Sequence, residues 1–164
     1  MTARVLVAGI GNIFLGDDGF GPEVARRLAT QPLPAGVRVV DYGIRGMHLA
    51  YDLLDGFDML VLVDAVPRRE RPGDLVVLQI GQEDLGEGDF DAHGMAPAAV
   101  LAGLGALGGE LPQQTYLVGC EPADVGERIG LSPAVEGAID PAVGIVIDLV
   151  SRAYATIEVE EFLA

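Results

Sequence analysis

The sequence predicts an α/β fold, a three-layer α/β/α sandwich around a five-stranded, mostly parallel sheet with one antiparallel strand. Three observations predict it. Five short runs rich in Val, Leu and Ile are almost continuously apolar, as strands buried on both faces must be. Helical patterns alternate with those runs, which places helices on both faces of one sheet. One connection is too short to follow the alternation, and the strand after it has to run the other way.

The elements follow in order. Arg4–Ile10 is the first strand and leads into "GIGNIFLGDDGFG", Gly9 to Gly21. "PEVARRLAT", Pro22 to Thr30, has its proline in the first turn, where the missing N–H costs nothing, and reads as a helix. Val37–Tyr42 is the second strand, Met47–Leu54 a helix after a glycine pair, and Met59–Val63 the third strand. "AVPRRERPG", Ala65 to Gly73, is too short and proline-rich for a crossover helix. A parallel return needs roughly a dozen residues or more, so the strand Leu75–Ile80 is read as antiparallel. The polar stretch "GQEDLGEGDFDA", Gly81 to Ala92, carries the chain back across the sheet edge, and a loop of that length is more often functional than idle. Pro97–Leu107 reads as a helix and Thr115–Gly119 as the fifth strand. Pro133–Tyr154 is the longest helical pattern, with Pro141 inside it to kink or split it. No repeat or interdomain linker is visible, so residues 1–164 are expected to form one domain with a frayed tail from about 155.

Composition excludes several partners. Ten Lys and Arg against 25 Asp and Glu give a formal charge of −15, which repels nucleic acid and anionic lipid and suits a cation or a basic peptide. Such a coat is also an ordinary solubility device. The single cysteine, Cys120, excludes an internal disulfide and a thiolate zinc cluster, and "YLVGCEP" reads as a buried strand end with an inert thiol. The apolar run of "MTARVLVAGI" is too short for a signal peptide, and Asp64 interrupts "LVLVDAV". No stretch is long enough to span a bilayer, and a cytoplasmic monomer is expected.

Ligands of an open α/β sheet gather beyond the carboxyl ends of its parallel strands. Asp18 lies on the loop leaving strand one, and Asp64 closes strand three. His93 precedes a helix that must start at the same rim for strand five to run parallel. Two carboxylates and an imidazole suit zinc or nickel, and three protein ligands leave positions open for water or substrate. The glycine loop is not a phosphate loop. A dinucleotide fingerprint needs glycine where this chain has Phe14, no G-K-[ST] follows, and Asp17 and Asp18 would repel a pyrophosphate. Its glycines are read instead as permitting a tight turn that presents a carboxylate to a cation. Asp41, closing strand two, is a candidate general base or supporting carboxylate, with Glu121 a lesser one. His48 is read as a surface histidine on a helix, and Arg45 as a candidate contact for an anionic group.

"GIGNIFLGDDGFGPEVARRL" resembles the opening of the hydrogenase maturation endopeptidases, and the likeness continues through "DYGIRGMHLAYDLL", "DMLVLVDAV", "AHGM" and "TYLVGCEPADVGERIGLSPAVEGAI". That resemblance implies removal of a C-terminal peptide from the large-subunit precursor of a nickel–iron hydrogenase. It implies Asp18, Asp64 and His93 as metal-binding positions and Asp41 as an acidic position associated with activity. It also implies that nickel arrives in the precursor and is not held permanently, with zinc or cadmium able to take the same ligands in vitro. Where many members carry D-G-G-T after strand two, this chain has "DYGIRG", which places Tyr42 and Arg45 where they bear on the cleft. No serine or cysteine nucleophile with a base partner is evident, which favours attack by water. A non-catalytic nickel-sensing chaperone using the same residues is the alternative, and a nucleotide-binding module comes third. Loss or retention of the precursor's C-terminal peptide separates the first two.

Overall fold

The computed structural model describes residues 3–81 and 103–163, with side chains described through residue 152. Strands β1 (Val5–Ile10), β2 (Val37–Gly43), β3 (Met59–Ala65), β4 (Leu75–Gln79) and β5 (Gln114–Cys120) form one sheet in the order β2-β1-β3-β5-β4. β1 pairs in parallel with β2 and β3, and β3 in parallel with β5. β4 is antiparallel to β5, as the short Ala65–Gly73 connection requires. The two unbroken apolar runs occupy the centre, where every residue of β1 and β3 is buried, while the more polar β2 and β4 form the edges.

Alternate residues of the central strands feed two cores. Val5, Val7, Val61 and Val63 face α1 (Phe20–Leu28) and the C-terminal helix, packing with Phe20, Val24, Leu28, Ile139 and Val146. Leu6, Ala8, Leu60 and Leu62 face the opposite side, against Leu49 and Leu53 of α2 (Gly46–Leu53) and Leu104. Helices therefore flank both faces of the sheet.

The long helical pattern is split. α3 (Pro133–Glu136) ends before α4 (Ile139–Leu163) begins, and Pro141 becomes the third residue of α4. There its absent N–H is one of those that no helix satisfies internally, whereas in one continuous helix its ring would meet the carbonyl of Gly137. Ser132 caps α3, its Oγ accepting from the Val135 N–H at 3.4 Å. The α4 backbone is helical through Leu163, where the sequence suggests fraying from about 155. Residues 103–106 are helical, inside the expected Pro97–Leu107 element, and Leu107 is already in a turn; residues 97–102 lie outside the described residues, as do the Gly81–Ala92 loop beyond Gly81 and His93.

α1 reaches the rim because Gly21 has no side chain. A Cβ there would lie 2.3 Å from the carbonyl oxygens of both Ile10 and Val63, so only glycine lets the helix start close against the ends of β1 and β3. Gly21→Ala is accordingly expected to cost about 1–3 kcal/mol by overpacking. A thermal melt tests this, and an unchanged midpoint would show that the helix can shift freely.

Candidate active site

The chain leaves β1 through a turn that only glycine permits. Gly11 has φ +144°, and a Cβ on it would fall 1.8 Å from the Asp18 carbonyl oxygen. Its N–H donates to the Gly43 carbonyl at 3.0 Å, which ties the loop to the end of β2. The chain then closes into a 3-10 turn, Gly16–Gly19, carrying Asp17 and Asp18. Successive residues of such a turn point roughly 120° apart, so the two neighbouring carboxylates face different surroundings.

Asp17 points inward and is fully buried. Its Oδ1 accepts from the Ser132 N–H at 2.7 Å, and its Oδ2 from the N–H groups of Ala123 and Asp124 and from the Ser132 hydroxyl at 2.8–3.0 Å. Burial raises the carboxyl's pKa, but these four donors outweigh it and hold the group below its ordinary value. Asp17 is thus a latch between the first loop and the segment from β5 to α3. A sequence gives little sign of it, because the donors lie more than a hundred residues away.

Asp18 points the other way, into a cavity of about 170 Å3 that it shares with Asp64. Ile10, Gly11, Asn12, Leu15, Ile44 and Val125 complete the lining, with no lysine or arginine among them. Asp18 Oδ2 accepts from the Asn12 N–H at 2.8 Å, which fixes the carboxylate over the loop. Asp64, next to last in β3, is only 7% exposed. Burial pushes its carboxyl well above the usual carboxylate range, the Asp18 charge pushes it further, and the Ala65 N–H only partly offsets them. Two carboxylates therefore meet in a cavity whose described lining supplies no cation. A divalent ion relieves both the burial and the repulsion, and hard oxygen donors fit one.

Among the described residues no cluster of three or more potential metal ligands occurs. Asp18 and Asp64 share one cavity, and the third expected ligand, His93, falls in the segment outside the described residues.

Asp41 is exposed on β2 and does not line that cavity. Its Oδ1 accepts from the Gly43 N–H at 2.9 Å, and its side chain borders two adjoining depressions. Glu121 departs from the sequence reading. It turns to the β3–β4 connection, accepting from the Arg68 N–H at 2.6 Å in a separate cavity. Arg45 is likewise engaged by its own loop, donating to the carbonyls of Asp41 and Tyr42 at 2.8 and 3.2 Å. Tyr42 borders the depression next to the Asp18–Asp64 cavity, but its side chain is buried in the core. The register shift between Gly9 and Ile10 makes it the extra residue of β2, and its buried hydroxyl donates to Asp52 at 2.6 Å. His48 is exposed on α2, as expected of a surface histidine, 3.8 Å from Asp52. Cys120 is buried, and burial pushes its thiol up to about 12, which leaves it inert.

Comparison with known proteins places this architecture. The family model described as hydrogenase maturation protease matches residues 22–149. The chain belongs to the hydrogenase maturation protease family. It is 35% identical over 147 residues to the hydrogenase 2 maturation protease of Escherichia coli K12, covering 88% of each chain. It is 37% identical over 144 residues to the hydrogenase expression/formation protein HupD of Rhodobacter capsulatus, covering 85% of this chain and 68% of that one. The solved structure of the hydrogenase maturating endopeptidase HybD from E. coli superposes with a TM-score of 0.78 at 32% identity, over 92% of this chain and 93% of the other. The five-stranded sheet with one antiparallel strand is thus the family fold. Among the described residues, no helix is long and apolar enough to cross a membrane.

Proposed function

We propose that this family member is an endopeptidase that removes the C-terminal extension of a nickel–iron hydrogenase large-subunit precursor once nickel has been loaded. The observation that carries this reading is the pairing of Asp64, buried and resistant to ionisation, with Asp18 in one open cavity. Such a pair binds a divalent ion more readily than it tolerates being without one. Nickel is part of the substrate here, and Asp18, Asp64 and His93 complete its coordination from the protease side. Zinc or cadmium would take the same ligands in vitro.

The described nucleophile candidates support attack by water. Cys120 is buried with a raised pKa, and the Ser132 hydroxyl is buried and committed to Asp17. In hydrolysis the water oxygen bonds to the scissile carbonyl carbon, the C–N bond breaks, and the departing nitrogen takes a proton. A divalent ion supplies Lewis acidity for that step. The chain's acidic charge suits a precursor that is not itself strongly acidic, and a soluble cytoplasmic monomer is the matching state.

Mass spectrometry of the large-subunit precursor, with and without nickel, tests the reading. Loss of a C-terminal peptide is expected only in the nickel-loaded sample, and His93→Ala is expected to leave the mass unchanged in both. Cleavage without nickel would remove the trigger, and full activity of His93→Ala would remove that ligand. Binding without cleavage would favour a maturation chaperone instead.

A further inference from the structure

The cavity of Asp18 and Asp64 does not end at its own rim. A second depression of about 310 Å3 shares Gly11, Asn12 and Ile44 with it. A third, of about 330 Å3, shares Ile13 and Asp41 with the second and ends at Ile129 and Leu131. The shared residues set the three side by side along the rim as one track of adjoining depressions, with Asp41 bordering the second and third.

The track gathers the chain's exposed apolar residues. Of nine large hydrophobic side chains exposed among the described residues, five line it: Ile13, Phe14, Ile44, Val125 and Ile129. Phe14 is 60% exposed and Ile129 77%. On a chain with a formal charge of −15, such a concentration marks an interaction surface. Its walls are also held in place. The Phe14 N–H donates to Asn12 Oδ1 at 2.9 Å, the Arg128 N–H to the Phe14 carbonyl at 3.0 Å, and the Gly16 N–H to the Arg128 carbonyl at 2.9 Å. The Asp17 latch fixes the same two segments from beneath. Little ordering remains to be done on binding.

We infer that this track binds the C-terminal segment of the precursor in an extended conformation, seating apolar side chains against Phe14 and Ile129 and delivering the scissile bond to the Asp18–Asp64 end. The inference rests on the endopeptidase reading and names the surface that selects its substrate. Three features fix the occupant. The track adjoins the two-carboxylate cavity through Gly11, Asn12 and Ile44, so what lies in it is brought beside the chemistry. Its depressions take side chains one after another, as an extended chain presents them. Its charges exclude an acidic segment: Asp18, Asp41 and Asp64 lie along it, Arg26 is paired with Glu23, and Arg45 is held by backbone carbonyls.

The test compares wild type with Phe14→Ser, Ile129→Ser and, as a control on the far edge strand, Val77→Ser. Stopped-flow anisotropy of labelled, nickel-loaded precursor reads binding before cleavage, and steady-state processing reads KM and kcat separately. Phe14→Ser and Ile129→Ser are expected to weaken binding and raise KM by at least about tenfold, with kcat at saturation within about twofold. Their melting temperatures are expected to stay within about 2 °C of wild type, since both side chains are exposed. Val77→Ser is expected to behave as wild type. Wild-type cleavage with both track variants unaffected would overturn the docking inference and leave the endopeptidase standing. Binding lost in the variants with no cleavage by wild type would leave the docking surface and sink the protease. Variants that change only self-association in sedimentation would assign the track to a second copy of the chain and overturn the inference.

Discussion

Asp64→Asn is expected to weaken processing sharply and, in the metal-free protein, to raise the melting temperature at neutral pH. The two effects share one cause. Asp64 is buried at the end of β3, and its ionised form is opposed first by desolvation and then by Asp18. An aspartate in the unfolded chain titrates near about 3.9, and in the folded protein Asp64 titrates higher. Below the unfolded value both states hold the proton and the residue is neutral to stability. As pH rises past it the unfolded chain gives up its proton first, so stability falls until the folded carboxyl also ionises, and the penalty then stays constant. Asparagine removes that penalty, and each kcal/mol recovered raises the midpoint by about 2–4 °C in a domain of this size. The gain should vanish near pH 4. Losing the carboxylate is expected to lower processing by about 10²–10³-fold, the scale of one lost electrostatic group at a reacting centre. Nickel or cadmium should stabilise wild type but not the variant. A variant that melts lower at neutral pH without metal would show that Asp64 is structural.

This opposition between stability and function explains what the sequence makes legible. A charged residue closing an otherwise unbroken apolar strand is a local contradiction, visible without coordinates, and the alternation of strands and helices places it at the rim with Asp18. The antiparallel β4 is equally legible, because the length and prolines of Ala65–Gly73 leave no room for a crossover. Pro141 announces a break, although the break falls ahead of it at Gly137 and Ala138. What the sequence hides depends on the direction of side chains. Asp17 and Asp18 are chemically identical neighbours, and only the 3-10 turn separates a latch from a site carboxylate. Glu121 follows β5 and Asp64 lies near the end of the neighbouring β3, yet Glu121 turns to the Arg68 N–H because the short β3–β4 connection presents that donor to it. Tyr42 reads as bulk in the cleft, whereas the register shift leaves it bordering a depression with its side chain in the core.

Asp17→Asn should show the reverse behaviour from Asp64→Asn, although the two residues serve the same rim. Four donors converge on the Asp17 carboxylate, one on Oδ1 and three on Oδ2. An amide nitrogen in either position faces at least one N–H it cannot accept from, and a buried donor left unpaired is costly. The expected loss is about 3 kcal/mol or more, or roughly 6–12 °C in melting temperature. The sign of the pH effect is also reversed. The folded pKa is depressed, so the stabilisation is fully present above the unfolded value near about 3.9 and is lost as pH falls through the folded value. Wild type should therefore shed stability on acidification below about pH 4, while Asp17→Asn, already without the latch, should stay flatter there. Because the latch holds the wall carrying Val125 and Ile129, processing by the variant should fail mainly through a raised KM, and the failure should ease on cooling. A melting temperature within about 2 °C of wild type would mean that the loop is held by its backbone alone, and that the neighbouring carboxylates differ less than their surroundings indicate.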